Sequence, residues 1–132
     1  MAFAGSQPFK LAGVTASADL STTGQFLFVK MSGAKTVTIC AAATDIPVGV
    51  LQNTPKSGQA AEVVVVGQTK ITASAAITAG AQIGTTSGAK AVTLVAGTDT
   101  TKYVVGTAIE TASANNDLID AIVDCTAPAR GA

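Results

Sequence analysis

Short runs of β-branched and other apolar residues, punctuated by Gly, Pro, Asn and Asp, recur along all 132 residues of the chain. Thr36-Val37-Thr38-Ile39-Cys40 alternates polar and apolar side chains, the period of two that marks a half-buried strand. Val63-Val64-Val65-Val66 is continuous, and predicts a strand covered on both faces. Gln25 to Met31, Val48 to Leu51, Ala91 to Val95 and Tyr103 to Ile109 read as further strands. Between them, Ala41 to Pro47 and Asn53 to Gln59 read as loops, and Ala73 to Gly80 as a loop or one short helical turn. Leu118 to Val123 fits two descriptions. It could close the set as a strand, or Asn116-Asp117 could cap a helix with Leu118, Ile119, Ile122 and Val123 on one stripe.

An internal echo organises these elements. Ser32-Gly33-Ala34-Lys35-Thr36-Val37-Thr38-Ile39 returns 55 positions later as Ser87-Gly88-Ala89-Lys90-Ala91-Val92-Thr93-Leu94. Pro47-Val48-Gly49-Val50 is answered by Val104-Val105-Gly106-Thr107, and the valine run lines up with Asp120 to Val123. Matches in the same order at nearly constant spacing predict two copies of one unit, residues 24–70 and 79–125. The alignment sets Leu118 to Val123 opposite four valines, which disfavour helix, so the strand reading is preferred. Ser32 to Lys35 predicts a tight turn in which Gly33 supplies positive φ, and Gly49 predicts close backbone approach.

Two copies of a four-stranded unit predict an all-β fold, a pseudo-duplicated barrel or sandwich of about eight short strands in one domain, residues 24–132. Residues 1–23 show little periodicity yet carry Phe3, Phe9 and Leu11. They predict an extended N-terminal arm whose apolar side chains find burial on a neighbouring molecule.

Composition narrows the function more than it widens it. Lys and Arg total 8 against 8 Asp and Glu, and the lysines are scattered singly. With no basic run to neutralise phosphates, nucleic-acid binding is not expected. No apolar run approaches the roughly 20 residues that cross a bilayer, and no signal-peptide pattern opens the chain. Synthesis and folding in a cytoplasm are expected, so Cys40 and Cys125 should be reduced, small buried hydrophobes. Charged residues are only 12% of the chain, and a surface so sparsely charged suits packing against a partner.

Catalytic chemistry finds no purchase. The chain has no His, which removes the usual general base, triad base and zinc ligand. The two cysteines stand 85 positions apart, and no nucleophile elbow, phosphate loop or dinucleotide fingerprint occurs. Asp117, Asp120 and Asp124 crowd together, but on a strand Asp120 and Asp124 share a face that Asp117 leaves. They read as a solvated strand edge. Glu62 and Glu110 are the only glutamates, and nothing pairs them. No enzyme activity, cofactor or metal is therefore expected.

Pro47-Val48-Gly49-Val50-Leu51, the turn at Pro55 to Gly58, and Ala61-Glu62-Val63-Val64-Val65-Val66-Gly67 form a cadence that returns at Val105 to Ala108 and Ile122-Val123. In this the chain resembles the small all-β decoration, or cement, proteins of bacteriophage heads. Ile77 to Ile83 is similar to that family's strand entry, with Ala81 where an acid is common. The resemblance implies a structural virion protein on the capsid exterior, bound to the major capsid protein. It also implies self-association, as a homotrimer before a dimer. Phe3, Phe9, Lys10 and Leu11 of the arm, with Lys35 and Lys90 on the matching turns, are then the candidate partner-binding residues. The arm could add a strand to a capsid sheet edge. The competing reading is a phage tail, fibre or surface-adhesin β module that binds a receptor or glycan. A lysine-modified carrier domain is a weaker fit, because Lys56 and Lys90 lack a flanking Met.

Overall fold

Each apolar run of the sequence lies in or beside a strand of the computed structural model, which describes residues 8–131. In chain order the strands are β1 (Phe9–Lys10), β2 (Thr15–Ala16), β3 (Phe28–Gly33), β4 (Thr36–Ile39), β5 (Gly49–Leu51) and β6 (Val63–Thr72). The remainder are β7 (Gln82–Thr85), β8 (Ala91–Thr93), β9 (Tyr103–Val104), β10 (Gly106–Ala108), β11 (Leu118–Asp124) and β12 (Ala129–Arg130). No helix occurs among the described residues. The count exceeds the expected eight because β1, β2 and β12 are two-residue pieces and Tyr103 to Ile109 is split in two.

Leu118 to Val123 is a strand, paired residue for residue with β6 from Leu118↔Thr72 to Asp124↔Val66. Asn116 precedes it at φ 73, a left-handed backbone that starts no helix. Likewise β3 begins at Phe28, later than expected, because Phe26 sits at φ 60. The Ser-Gly-Ala-Lys turns differ from expectation as well. Lys35 and Ala89, not Gly33 and Gly88, hold positive φ, at 53° and 64°. Gly49 does mark close approach, since a Cβ there would stand 2.4 Å from Val63 Cγ1 and 2.5 Å from the Val64 carbonyl oxygen. Gly106 occupies the matching place on β10, where a Cβ would meet the Ile122 oxygen at 2.4 Å.

Ten strands form one sheet in the order β2-β4-β3-β5-β6-β11-β10-β7-β8, with β1 added on β6, while β9 and β12 make a separate pair. From the central β6–β11 pair outward, each side presents a short strand and then a hairpin, β5 with β3–β4 and β10 with β7–β8. The path runs from β2 to β8 without these two strands pairing, so the sheet folds over as a sandwich-like body and does not close into a barrel.

Burial explains the shape. Strand alternation sends Phe28, Val50 and Val64 into a large core that also takes Ile83, Ala108, Ala121 and Val123 from the second half. Their neighbours Val29, Leu51 and Val63 turn the other way, into a smaller core. The lid of that smaller core is the chain's own beginning, through Val14, Ala16 and Leu20. This corrects the expected arm, whose described part, Pro8 to Thr23, is built into the domain. Backbone bonds hold it there: Leu11 N to Val63 O at 3.0 Å, Thr15 N to Lys35 O at 3.0 Å, Ser17 N to Val37 O at 2.9 Å and Leu20 N to Pro55 O at 2.9 Å. Met1 to Gln7, including Phe3, lie outside the described residues.

Two substitutions test this packing by thermal or denaturant unfolding. Leu20→Ala empties a buried site and should cost about 2–5 kcal/mol, whereas an unchanged midpoint would place the segment outside the core. Gly106→Ala should cost about 3 kcal/mol from overpacking, while Gly88→Ala, with only Thr86 Oγ1 nearby at 3.8 Å, should stay within about 0.5 kcal/mol.

Candidate interaction surface

The β6–β11 pair has one face in the core and one in solvent. Inward go Ile71 from β6 and Ile119, Ala121 and Val123 from β11. Outward, the register sets Val66 beside Asp124, Gln68 beside Ile122, Lys70 beside Asp120 and Thr72 beside Leu118. Two of these rows extend sideways, to Phe9 on β1 through Val66 and to Thr107 on β10 through Ile122. The outcome is an exposed face with large apolar side chains: Phe9 is 62% exposed, Ile122 51% and Leu118 46%. Isolated exposed apolar residues are ordinary, but three along one two-strand ribbon and its neighbour form a patch.

Polar groups divide the patch. Lys70 Nζ donates to Asp120 Oδ1 at 2.7 Å, Gln68 Nε2 reaches Asp120 Oδ2 at 3.4 Å, and the Asp120 backbone N–H donates to Glu110 Oε1 at 2.7 Å. The hydrogen bond to Asp120 holds the Lys70 ammonium above its usual value, with Asp120 and Glu110 adding charge in the same direction. A largely solvent-exposed pair of this kind contributes little to stability.

The six residues expected to bind a partner are dispersed. Phe3 lies outside the described residues, and Phe9 is on the patch. Lys10 is ion-paired with Glu62. Leu11 is half-buried and packs against both cores. Lys35 and Lys90 sit on hairpin turns toward opposite ends of the sheet order, and Lys90 Nζ donates to Asn116 Oδ1 at 2.6 Å and Asn115 Oδ1 at 3.2 Å. Ile122 and Leu118 escaped the sequence reading. The signal was present, because they share parity with Asp120 and Asp124, so a solvated acidic face had to expose them too.

No group of three or more His, Cys, Asp or Glu gathers at metal-binding range among the described residues. The clustered acids have separate duties. Asp117 accepts from Ser113 N at 2.7 Å and Ala114 N at 3.1 Å, Asp120 pairs with Lys70, and Asp124 accepts from Thr126 Oγ1 at 2.7 Å. Cys40 and Cys125 are buried thiols in the large core, in no disulfide, and burial pushes the pKa of both up to about 12. Such thiols are poor nucleophiles.

No protein-family model and no curated protein sequence matches this chain. Among solved structures, it is similar to the N base of the head fibre protein gp8.5 of bacteriophage phi29, with a TM-score of 0.63 and 18% identity. The match covers 90% of this chain and 94% of that one. The two share a fold across nearly their whole lengths.

The titrating groups bound stability from both sides. The Lys30 ammonium and the Ala41 N–H hold the Asp45 carboxyl below its ordinary value, and hydrogen bonds from Ser21, Val95, Ser113 and Thr126 do the same for Asp19, Asp99, Asp117 and Asp124. Carboxyls lowered on folding contribute stability above the unfolded value of 3.8 and lose it as pH falls through the folded ones, so unfolding midpoints should drop below pH 4. Asp45→Asn should flatten that drop. The thiols act oppositely. Between about 9 and about 12 the unfolded chain loses thiol protons that the folded chain keeps, so stability should fall with rising pH, and Cys40→Ala/Cys125→Ala should remove that component.

Proposed function

We propose that this chain is a structural protein of a bacteriophage head, seated on the outside of the shell and bound to the major capsid protein as a decoration or cement protein. The observation that carries the proposal is the pair of large apolar side chains left uncovered on the outer face of the central strands, Phe9 and Ile122. A solvated strand face ordinarily carries polar residues, and large aliphatic side chains on it suit a partner surface. The fold shared with a phage head fibre base supports the virion setting. Repetition on an icosahedral shell turns modest affinity per site into strong retention. Self-association, as a trimer before a dimer, would add contacts of the same kind, and the two halves of the sheet read as copies of one unit. The second reading, a fibre or adhesin module that binds a receptor or glycan, is favoured by the fibre identity of the structural neighbour.

Co-sedimentation with expanded shells, assembled from the major capsid protein of the same phage, tests the first reading. The wild-type chain should pellet with shells. Ile122→Asp combined with Phe9→Ala should weaken binding at least about tenfold, as loss of a central anchor does, without shifting the unfolding midpoint. Failure of the wild-type chain to pellet, or equal binding by the double variant, would refute it.

A further inference from the structure

Loops from both halves of the chain meet at a second place, which the shell-binding proposal does not use. They enclose a groove of about 490 Å³, lined by residues before β3, by Thr54 from the β5–β6 loop, by Thr72 at the end of β6, by the β7–β8 turn and by Asn116. Its lining includes the aliphatic side chains of Leu27 and Ile39 and four hydroxyl-bearing residues, Thr22, Thr23, Thr54 and Thr72. Thr72 lies six residues along β6 from Val66, about 20 Å at strand rise, so the groove sits at the Leu118 end of the ribbon, away from Phe9 and Val66.

The rim is conformationally fixed. Of the four non-glycine residues with positive φ among the described residues, Asn116 at 73° lines the groove, while Phe26 at 60° lies between the lining residues Gln25 and Leu27 and Ala89 at 64° between Gly88 and Lys90. Each is pinned by the backbone, with Thr72 N donating to Phe26 O at 3.0 Å, Phe28 N to Ala89 O at 2.9 Å, and Asn116 N to Ala73 O at 2.8 Å. Held this way, strained positions make a preorganised site. Lys90 supplies the single cation of the lining. An ammonium has three donors, and two of those on Lys90 go to the neutral amide oxygens of Asn115 and Asn116, which leaves one donor and the whole charge for a ligand.

We propose that this groove binds an acidic sugar, a saccharide residue with one carboxylate. Lys90 Nζ receives the carboxylate, the threonine hydroxyls exchange hydrogen bonds with ring hydroxyls, and Leu27 and Ile39 pack under the aliphatic ring face. A peptide strand would need a bare backbone edge, and these walls are side-chain hydroxyls. A nucleic acid would need several cations, and the lining has one. The inference stands apart from the decoration role, because the lining includes neither Phe9 nor Ile122.

Titration of the isotope-labelled full chain, followed through backbone amide resonances, is the test. The probes are methyl glucuronide, methyl galacturonide and a methyl sialoside, with methyl glucoside and inorganic phosphate as comparators. At least one acidic glycoside should shift Gln25, Gly88, Lys90 and Asn116 with a Kd of about 1–10 mM, the range for a ligand of that size. Methyl glucoside should bind at least about fivefold more weakly. Lys90→Met should weaken the acidic sugar about tenfold and abolish its advantage over glucoside, as loss of a charge-assisted hydrogen bond does. Ile122→Asp should leave the titration unchanged, which separates this site from shell binding. The proposal is overturned if all three acidic glycosides leave these amides unmoved at about 50 mM, far above the expected Kd. It also fails if phosphate binds as tightly as the sugars, or if Lys90→Met keeps the preference.

Discussion

A strand buried on both faces has to be covered twice, and most of this architecture follows from that need at β6. Val63 and Val64 point to opposite sides, and both are almost wholly withdrawn from solvent. One side is covered by the other half of the molecule, through β11, β10 and β7. The other has no sheet to meet, and the chain's opening segment fills the vacancy with Val14, Ala16 and Leu20. Burying a Val or Leu side chain contributes about 1.5–3 kcal/mol, so two such contacts and the smaller Ala16 outweigh the ordering of one short irregular segment only with help. The help is backbone pairing: β2 adds to β4 in parallel, Thr15↔Thr36 and Ala16↔Val37, and the carbonyls of Val63, Lys35 and Val37 accept from the segment.

The same device recurs in the second half. Ala73, in the link between β6 and β7, makes a parallel bridge to Ala91 at the start of β8, and Ala73 and Ile77 are buried in the large core. In each half, then, the residues ahead of the β-hairpin return to lie along its second strand. This is why the apolar residues of the opening segment stay with the parent domain. It also explains why the sheet stays open: both outer edges are already occupied by the chain's own short segments, which blunts them against uncontrolled pairing.

What was legible in the sequence was whatever depends on periodicity over several residues. The alternation at Thr36 to Ile39 and the valine run stand out from chemistry averaged over a whole element, whereas the strand at Leu118 fits a helix as well and is preferred only through its alignment with the valines. The echo between Ser32–Ile39 and Ser87–Leu94 falls on the two topologically matched hairpins. What stayed hidden depends on one or two residues. A two-residue strand such as Thr15–Ala16 has no period to detect, so the opening segment read as a tail although it is a lid. Phe26, Lys35 and Ala89 hold left-handed backbone where no propensity places it, and tertiary hydrogen bonds decide there. The candidate surface was half legible, since Asp120 and Asp124 were expected on one face and Ile122 and Leu118 had to accompany them.

This division bears on how such a fold acquires function. Where the two halves of the sheet match, burial is served: Gly49 and Gly106 allow close strand approach on β5 and β10. Function has to come from where the halves differ. On the outer face of the central ribbon they do differ, because β6 contributes Gln68, Lys70 and Thr72 while β11 contributes Leu118, Asp120 and Ile122. A face with equal chemistry on both strands would have served solubility alone. Unequal strands give the ribbon apolar and acidic side chains alternating on β11 beside mainly neutral and basic polar ones on β6, and therefore a direction in which a partner can be read. The loops show the same asymmetry, since Lys90 is held between two asparagines while Lys35, its partner in the echo, stands at a left-handed turn beside Gly13. A scaffold settled by burial leaves these unmatched positions free to vary, and it is at those positions that recognition has to be sought.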